Sequence, residues 1–157
     1  MRILRYIFIL SAVLAGCKKG EEVRPFSFLN DKSTTNSGGQ QSIPFGIYTL
    51  LNYEDAISCP YTVVLEIKNE HNEKGEYIVN GKSAINFYFA GLKASIPSDS
   101  ISVLGLSSTK IGDSVAMVNF EKVYLDRLES SNSYLVQDNG KRLILKMPEK
   151  YMVFVKK

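Results

Sequence analysis

The sequence predicts an α+β fold: a curved, largely antiparallel sheet of about seven strands with one helix, over about residues 114–129, packed against it. Three observations carry this. Short runs rich in β-branched and aromatic residues recur between polar turns from Gly46 onward. An Asn139-Gly140 dipeptide sits between two such runs, a strong local hairpin signal. One stretch, DSVAMVNFEKVYLDRLES from Asp113, replaces the alternation with apolar residues at helical spacing.

The elements follow in order. Residues 46–53 (GIYTLLNY) and 61–68 (YTVVLEIK) read as strands, and 69–75 (NEHNEKG) as a charged loop. EYIVN (76–80) leads through Gly81 into AINFYFAGL (84–92). There Ile85, Phe87 and Phe89 alternate with Asn86 and Tyr88, which predicts a half-buried strand whose apolar face carries the first three. Residues 100–108 (SISVLGLSS) form another strand. SYLVQ (133–137) and residues 141–147 should pair across Asn139-Gly140 as a type I′ hairpin, and YMVFV (151–155) closes the chain. In the helix, Met117, Phe120, Tyr124, Leu125 and Leu128 make the apolar stripe, Ser114 or Asp113 the cap, and Lys122, Asp126 and Arg127 the wet side.

The first seventeen residues have a different logic. Arg2 and Arg5 form a positive start, and residues 6–13 an apolar stretch too short for a membrane-spanning helix. Leu14, Ala15 and Gly16 then precede Cys17, which resembles the lipoprotein signal pattern. The expected organisation is a signal peptide over 1–16, a lipidated Cys17 with a flexible tether over 17–45, and one domain over 46–157. The stretch DKSTTNSGGQQS has the composition of a tether, and PFSFL (25–29) before it is too brief to be an element by itself. A multiply acylated cysteine anchors a protein durably, at about 0.8 kcal/mol per buried CH₂. Lys18 stands where an aspartate would, in enteric bacteria, resemble an inner-membrane retention signal. The expected location is therefore the outer membrane, facing the periplasm or the cell surface.

Charge and cysteine content bound the function classes. Of 19 basic residues, Arg2 and Arg5 leave with the signal peptide, so 17 face 16 acidic ones. That balance gives no electrostatic case for nucleic acid. With Cys17 acylated, Cys59 has no disulfide partner and reads as a small buried hydrophobe.

Candidate chemistry is sparse. EYIVNGKS (76–83) nearly matches a P-loop, but Glu76 stands where glycine is needed and IVN is strand-like rather than a phosphate-cradling nest. His71 is the sole histidine and lies in a charged loop, so no His-based metal pair or relay can form. Glu66, Glu70, Glu73 and Glu76 read as a solvated edge. Asp99-Ser100-Ile101 and Asp113-Ser114-Val115 match a short O-glycosylation pattern that chance also produces. No catalytic residue, cofactor or metal ligand is expected.

The domain resembles the META/HslJ-like family. The segments that carry the likeness are VNGKSAINFYFAGL, SISVLGLSSTKIG, MVNFEKVYLDRL and YLVQDNGKRLILK followed by YMVFV. The glycine-led strand with an asparagine before an aromatic is matched by Gly81, Asn86 and Tyr88. The Thr-basic-aliphatic step is matched by Thr109, Lys110 and Ile111. A helix beginning around a glutamate is matched by Glu121 with Tyr124 and Leu128. The closing strands are matched by Tyr134, Leu143, Leu145 and Phe154. Ile85 replaces a cysteine frequent in the family, a second is missing near Ile111, and Tyr48 replaces a usual tryptophan. The resemblance implies a compact, frequently lipid-anchored envelope domain linked to stress or antibiotic tolerance, with no enzyme activity or cofactor.

The expected function is a non-enzymatic, monomeric envelope lipoprotein, held to the membrane through Cys17 and acting on an envelope protein partner or in a stress response. A lipocalin-like carrier of a small apolar ligand, held between helix and sheet, is the alternative.

Overall fold

Inward and outward side chains alternate along each strand, and this alternation organises the domain. The computed structural model describes residues 42–53, 59–96 and 98–157. The signal segment, Cys17 and the tether up to residue 41 lie outside the described residues. Eight strands form: β1 (Gly46–Tyr53), β2 (Val64–His71), β3 (Tyr77–Lys82), β4 (Phe87–Ser95), β5 (Ser100–Ser108), β6 (Ser133–Gln137), β7 (Arg142–Met147) and β8 (Lys150–Lys156). One helix, α1 (Val115–Glu129), lies between β5 and β6. Every strand pairs antiparallel with its sequence neighbour, and β8 returns to β1. The sheet expected to be curved and about seven-stranded is thus an eight-stranded closed barrel.

The barrel is filled by its own side chains. Tyr48, Leu65, Val79, Tyr88, Leu143, Met152 and Phe154 are at most 2% exposed. Both ends are closed. At one, α1 sends Tyr124 and Leu128 inward, and Phe120 packs edge-on to Tyr61 with ring centroids 5.0 Å apart. At the other, Pro44 lines the same interior as Leu65 and Val79, and Phe45 packs edge-on to Tyr77 at 5.2 Å. Ile43 and Pro44 are buried, so the last residues assigned to the tether belong to the core. Their apolar side chains cover a barrel mouth that would otherwise be wet.

The β5–β6 seam is the weak part of the wall. Among the described residues its ladder pairs Ser100 with Ser133, flanked by Ile101 N–H to the Asn132 carbonyl and Tyr134 N–H to the Asp99 carbonyl, both 3.0 Å. Leu128 faces the same interior as Val103 of β5 and Tyr134 of β6, so α1 closes the wall where those strands part. The helix starts where expected, with Ser114 Oγ accepting from Met117 N–H at 3.4 Å. Tyr124 and Leu128 of the apolar stripe are buried, and Met117 is partly exposed. Arg127, assigned to the wet side, instead lays its guanidinium 4.3 Å from the centroid of the Tyr53 ring.

Leu128→Ala should therefore cost about 2–5 kcal/mol, because it opens a cavity under a helix that completes the wall. Lys122→Ala, on the exposed face, should change stability by less than about 0.5 kcal/mol. Urea denaturation of the two variants checks this, and equal midpoints would contradict the packing.

The β6–β7 hairpin forms as expected. Asn139 (φ 54°, ψ 42°) and Gly140 (φ 86°) are both left-handed, and Lys141 N–H donates to the Asp138 carbonyl at 3.2 Å. Asp138 is left-handed too (φ 53°), so β6 ends at Gln137 as expected while β7 starts one residue later than expected, at Arg142, and the two close a four-residue loop. Gly140→Val should cost about 1 kcal/mol from backbone strain alone, since no atom lies within 4 Å of an added Cβ. A thermal melt of that variant unchanged from the native chain would contradict this.

Candidate functional site

The β3–β4 turn is shaped to hold an anion, and α1 supplies one. Residues 83–86 close through Ser83 N–H to the Asn86 carbonyl at 2.9 Å. This conformation gathers the Ile85 and Asn86 N–H groups and the Ser83 hydroxyl on one side. All three donate to Oε2 of Glu121, the two N–H groups at 3.3 and 2.9 Å. Oε1 accepts from Asn86 Nδ2 at 2.6 Å. The other side of the Asn86 amide grips the chain after β5. Its Oδ1 accepts from the Thr109 hydroxyl at 2.8 Å and Ile111 N–H at 2.7 Å, while Nδ2 also reaches the Ile111 carbonyl at 3.2 Å. Asn86 thus ties three elements together: the β3–β4 turn, the β5–α1 connection and α1.

Burial raises the pKa of the Glu121 carboxyl. The hydrogen bonds from Ser83, Asn86 and Ile85 outweigh it, and the net shift is below the ordinary value of 4.5. A carboxylate held ionised by four donors is a weak base, and its lone pairs are already committed. The chemistry of this cluster is adhesion: it fastens the helix over the barrel.

Next to it lies a tyrosine pair. Tyr88 turns into the barrel and donates its hydroxyl proton to the Val64 carbonyl at 2.9 Å, so the Tyr124 hydroxyl is the donor in the 2.6 Å contact between the two phenols. Burial pushes both phenols well above the ordinary value of 10.0. Gly81 makes this possible, because a Cβ there would overlap the Tyr88 ring end and the Val64 carbonyl. This reverses the expected facing of β4. Tyr88 is fully buried, whereas Phe87 and Phe89 are 52% and 51% exposed. The physical reason is that an inward Tyr88 finds two hydrogen-bond partners in the core, which pure apolar alternation does not anticipate.

The outward phenylalanines form one wall of a groove of about 340 Å³ on the barrel's outer face. Ile47 of β1 forms the opposite wall. Val64 and Asn80 lie between them, and Glu66 and Lys82 are adjacent. The register aligns these residues in two rows across the barrel, Ile47–Glu66–Asn80–Phe89 and Val64–Lys82–Phe87. A second, more polar depression of about 540 Å³ lies between the last turn of α1 and the β7–β8 turn, with Asp126, Arg127, Glu149 and Lys150 around it. The interior void beneath Leu128 amounts to about 10 Å³. Small-molecule pockets begin at roughly 300 Å³, so this interior is occupied by its own side chains.

The remaining sequence candidates are dispersed. His71 is exposed, with its ring 4.2 Å from that of Tyr77, its partner across the hairpin. Glu70 and Glu73 are exposed and Glu66 faces outward. Glu76 is buried and accepts from Asn72 Nδ2 at 3.0 Å, which orders the β2–β3 turn. The near-P-loop is strand β3, with its backbone paired to β2 and β4. Cys59 Sγ donates to the Tyr61 carbonyl at 2.8 Å, and burial raises its pKa. Among the described residues, no helix is long and apolar enough to cross a membrane.

Sequence reading met Ser83 only as the end of the rejected near-P-loop and placed Glu121 at a helix start, whereas it is mid-helix and buried. The available signal was an acidic residue inside an apolar helical stripe. Such a residue needs a donor set elsewhere, and Ser83-x-x-Asn86 provides it.

Among the described residues these features define the class as a filled eight-stranded antiparallel barrel with one helix packed on it. No protein-family model and no curated protein matches the chain. Among solved structures, it is similar to a protein from Burkholderia xenovorans determined by NMR, with a TM-score of 0.56 and 15% identity. The match covers 78% of this chain and 96% of that one. At that identity the likeness shows the fold alone.

Proposed function

We propose that this chain is an outer-membrane lipoprotein anchored through Cys17, whose META/HslJ-like barrel acts without catalysis, as a monomer, on another envelope protein or in envelope stress and antibiotic tolerance. The observation that carries the interaction reading is the groove walled by Ile47, Phe87 and Phe89. Two half-exposed phenylalanines and an isoleucine across from them are apolar surface that gains from being covered. The buried polar groups of the helix cluster support the same reading, since their hydrogen-bonding capacity is spent on holding α1. Seven of the thirteen residues quoted for the family likeness also support it: Gly81, Asn86, Tyr88, Thr109, Ile111, Glu121 and Tyr124 fall in that one neighbourhood.

A photo-crosslinking residue at Phe89 in intact cells tests the interaction. It should give a discrete higher-mass adduct, while the same residue at exposed Ser102 should not. Equal labelling from both positions would contradict the reading. The anchor has its own test. Cys17→Ala should leave the precursor unprocessed and without palmitate label, because the thiol is the acyl acceptor. Normal palmitate incorporation would refute the localisation.

A further inference from the structure

The depression between the last turn of α1 and the β7–β8 turn is lined by an arginine with uncommitted donors. Arg127 is half-buried, and its guanidinium is held 4.3 Å from the centroid of the buried Tyr53 ring. Its Nη1 is closed off from solvent, yet among the described residues no group accepts a hydrogen bond from it. Among the same residues no carboxylate pairs with Arg127, although Asp126 and Glu149 border the depression. A guanidinium has donors only and stays charged, so a buried nitrogen without an acceptor is costly.

The surroundings describe what would supply that acceptor. The depression has a volume of about 540 Å³. Small-molecule sites run from roughly 300 to 1,000 Å³. Each side carries one acid and one base: Asp126 and Arg127 on α1, Glu149 and Lys150 at the β7–β8 turn. Val123, Met147 and Pro148 supply an apolar lining. Balanced charges give no preference for a simple anion or a metal ion, but they match a molecule that brings both signs itself. Its carboxylate meets the planar fork of Arg127, whose orientation the tyrosine ring already fixes. Its ammonium falls to Asp126 and Glu149, beside a helix C-terminus that also favours positive charge. An apolar side chain between the two charges covers Val123, Met147 and Pro148. That branch separates an amino acid or short peptide from a headgroup such as phosphoethanolamine, which has none.

We propose that this depression binds small zwitterions of the amino-acid or short-peptide class, Arg127 and Lys150 holding the carboxylate and Asp126 and Glu149 the ammonium. The site shares no residue with the outer-wall groove, and it needs neither lipidation nor an envelope partner. It therefore goes beyond the reading above and stands or falls separately from it.

Amide NMR of the full chain in detergent tests the site, with the dipeptide alanyl-leucine as the probe. Signals of Ser130, Glu149 and Lys150 should move saturably as the dipeptide is added. N-acetyl-alanyl-leucine lacks the ammonium and alanyl-leucinamide lacks the carboxylate. Each should bind about tenfold more weakly or worse. Arg127→Lys keeps the charge but loses the fork, and should weaken the dipeptide by a similar factor. Arg127 also packs on Tyr53, so a lowered melting temperature in that variant passes the decision to Glu149→Gln and Lys150→Gln. Both positions are exposed, so these chains should fold as the native one does and still bind more weakly. Dipeptide shifts that persist unchanged in all three variants overturn the proposal, as does the absence of any shift. Equal binding of the two blocked dipeptides overturns it in favour of a purely apolar contact. Phosphoethanolamine binding where alanyl-leucine does not overturns it in favour of a phosphate-bearing headgroup.

Discussion

Glu121→Ala should lower the stability of the barrel by about 3–5 kcal/mol, a large share of the 5–15 kcal/mol typical of a domain. The substitution removes more than one contact. It takes the side-chain acceptor of Ile85 N–H and one of two acceptors each from the Ser83 hydroxyl, which also reaches the Asn86 carbonyl at 3.0 Å, from Asn86 N–H, which also reaches Ser83 Oγ at 3.3 Å, and from Asn86 Nδ2, which also reaches the Ile111 carbonyl. Each buried donor left unsatisfied costs about 1–3 kcal/mol, reduced where water enters the gap. Glu121→Gln should lose less, because the amide oxygen still accepts, but its NH₂ meets donors rather than an acceptor. The pH dependence has a defined sign. A carboxyl whose folded pKa lies below its ordinary 4.5 contributes fully above that value and loses its contribution as pH falls through the folded pKa. Urea midpoints measured from neutral pH downward should decline below about 4.5 more steeply in the native chain than in Glu121→Gln. Parallel curves would mean that the charge plays no part in holding the helix.

Gly81→Ala should cost about 2–4 kcal/mol, although alanine is a small residue and β3 accepts it by conformation. The added methyl falls where the Tyr88 hydroxyl and the Val64 carbonyl already meet. Tyr88 must then withdraw, giving up its bond to Val64 and disturbing the 2.6 Å contact with Tyr124. Tyr88→Phe removes the hydroxyl while keeping the ring, so adding Gly81→Ala to it should cost less than adding it to the native chain. Urea denaturation of the four chains of that cycle gives the coupling, and strict additivity would contradict the close approach.

These two predictions also mark where the sequence was legible. The strands were visible because β-branched and aromatic runs alternate between turn residues, and the helix because its period changes at Asp113. Asn139-Gly140 announced its turn through a backbone requirement that few residue pairs meet. Closure of the sheet was not legible, since it depends on β8 meeting β1 across nearly the whole domain, and no local pattern encodes that. The facing of β4 was read the wrong way for a related reason. Phe87 and Phe89 look more apolar than Tyr88, yet the core contains a carbonyl and a second phenol that favour a tyrosine, and a glycine that makes room for it. The groove followed from that reversal and was invisible before it. Glu121 was noticed only through family likeness, because its donors come from a turn 35 to 38 residues earlier.

The central claim is that an ionised Glu121, seated in the turn over residues 83–86, holds α1 against the barrel beside the sparsely paired β5–β6 seam. The most direct test is a carbon NMR titration of the Glu121 carboxyl, followed together with hydrogen-exchange protection of the α1 amides. The account predicts a Glu121 pKa below the ordinary 4.5, with protection of Tyr124 and Leu128 falling along the same curve. A carboxyl that titrates at or above 4.5, with α1 equally protected on both sides of the transition, would contradict it.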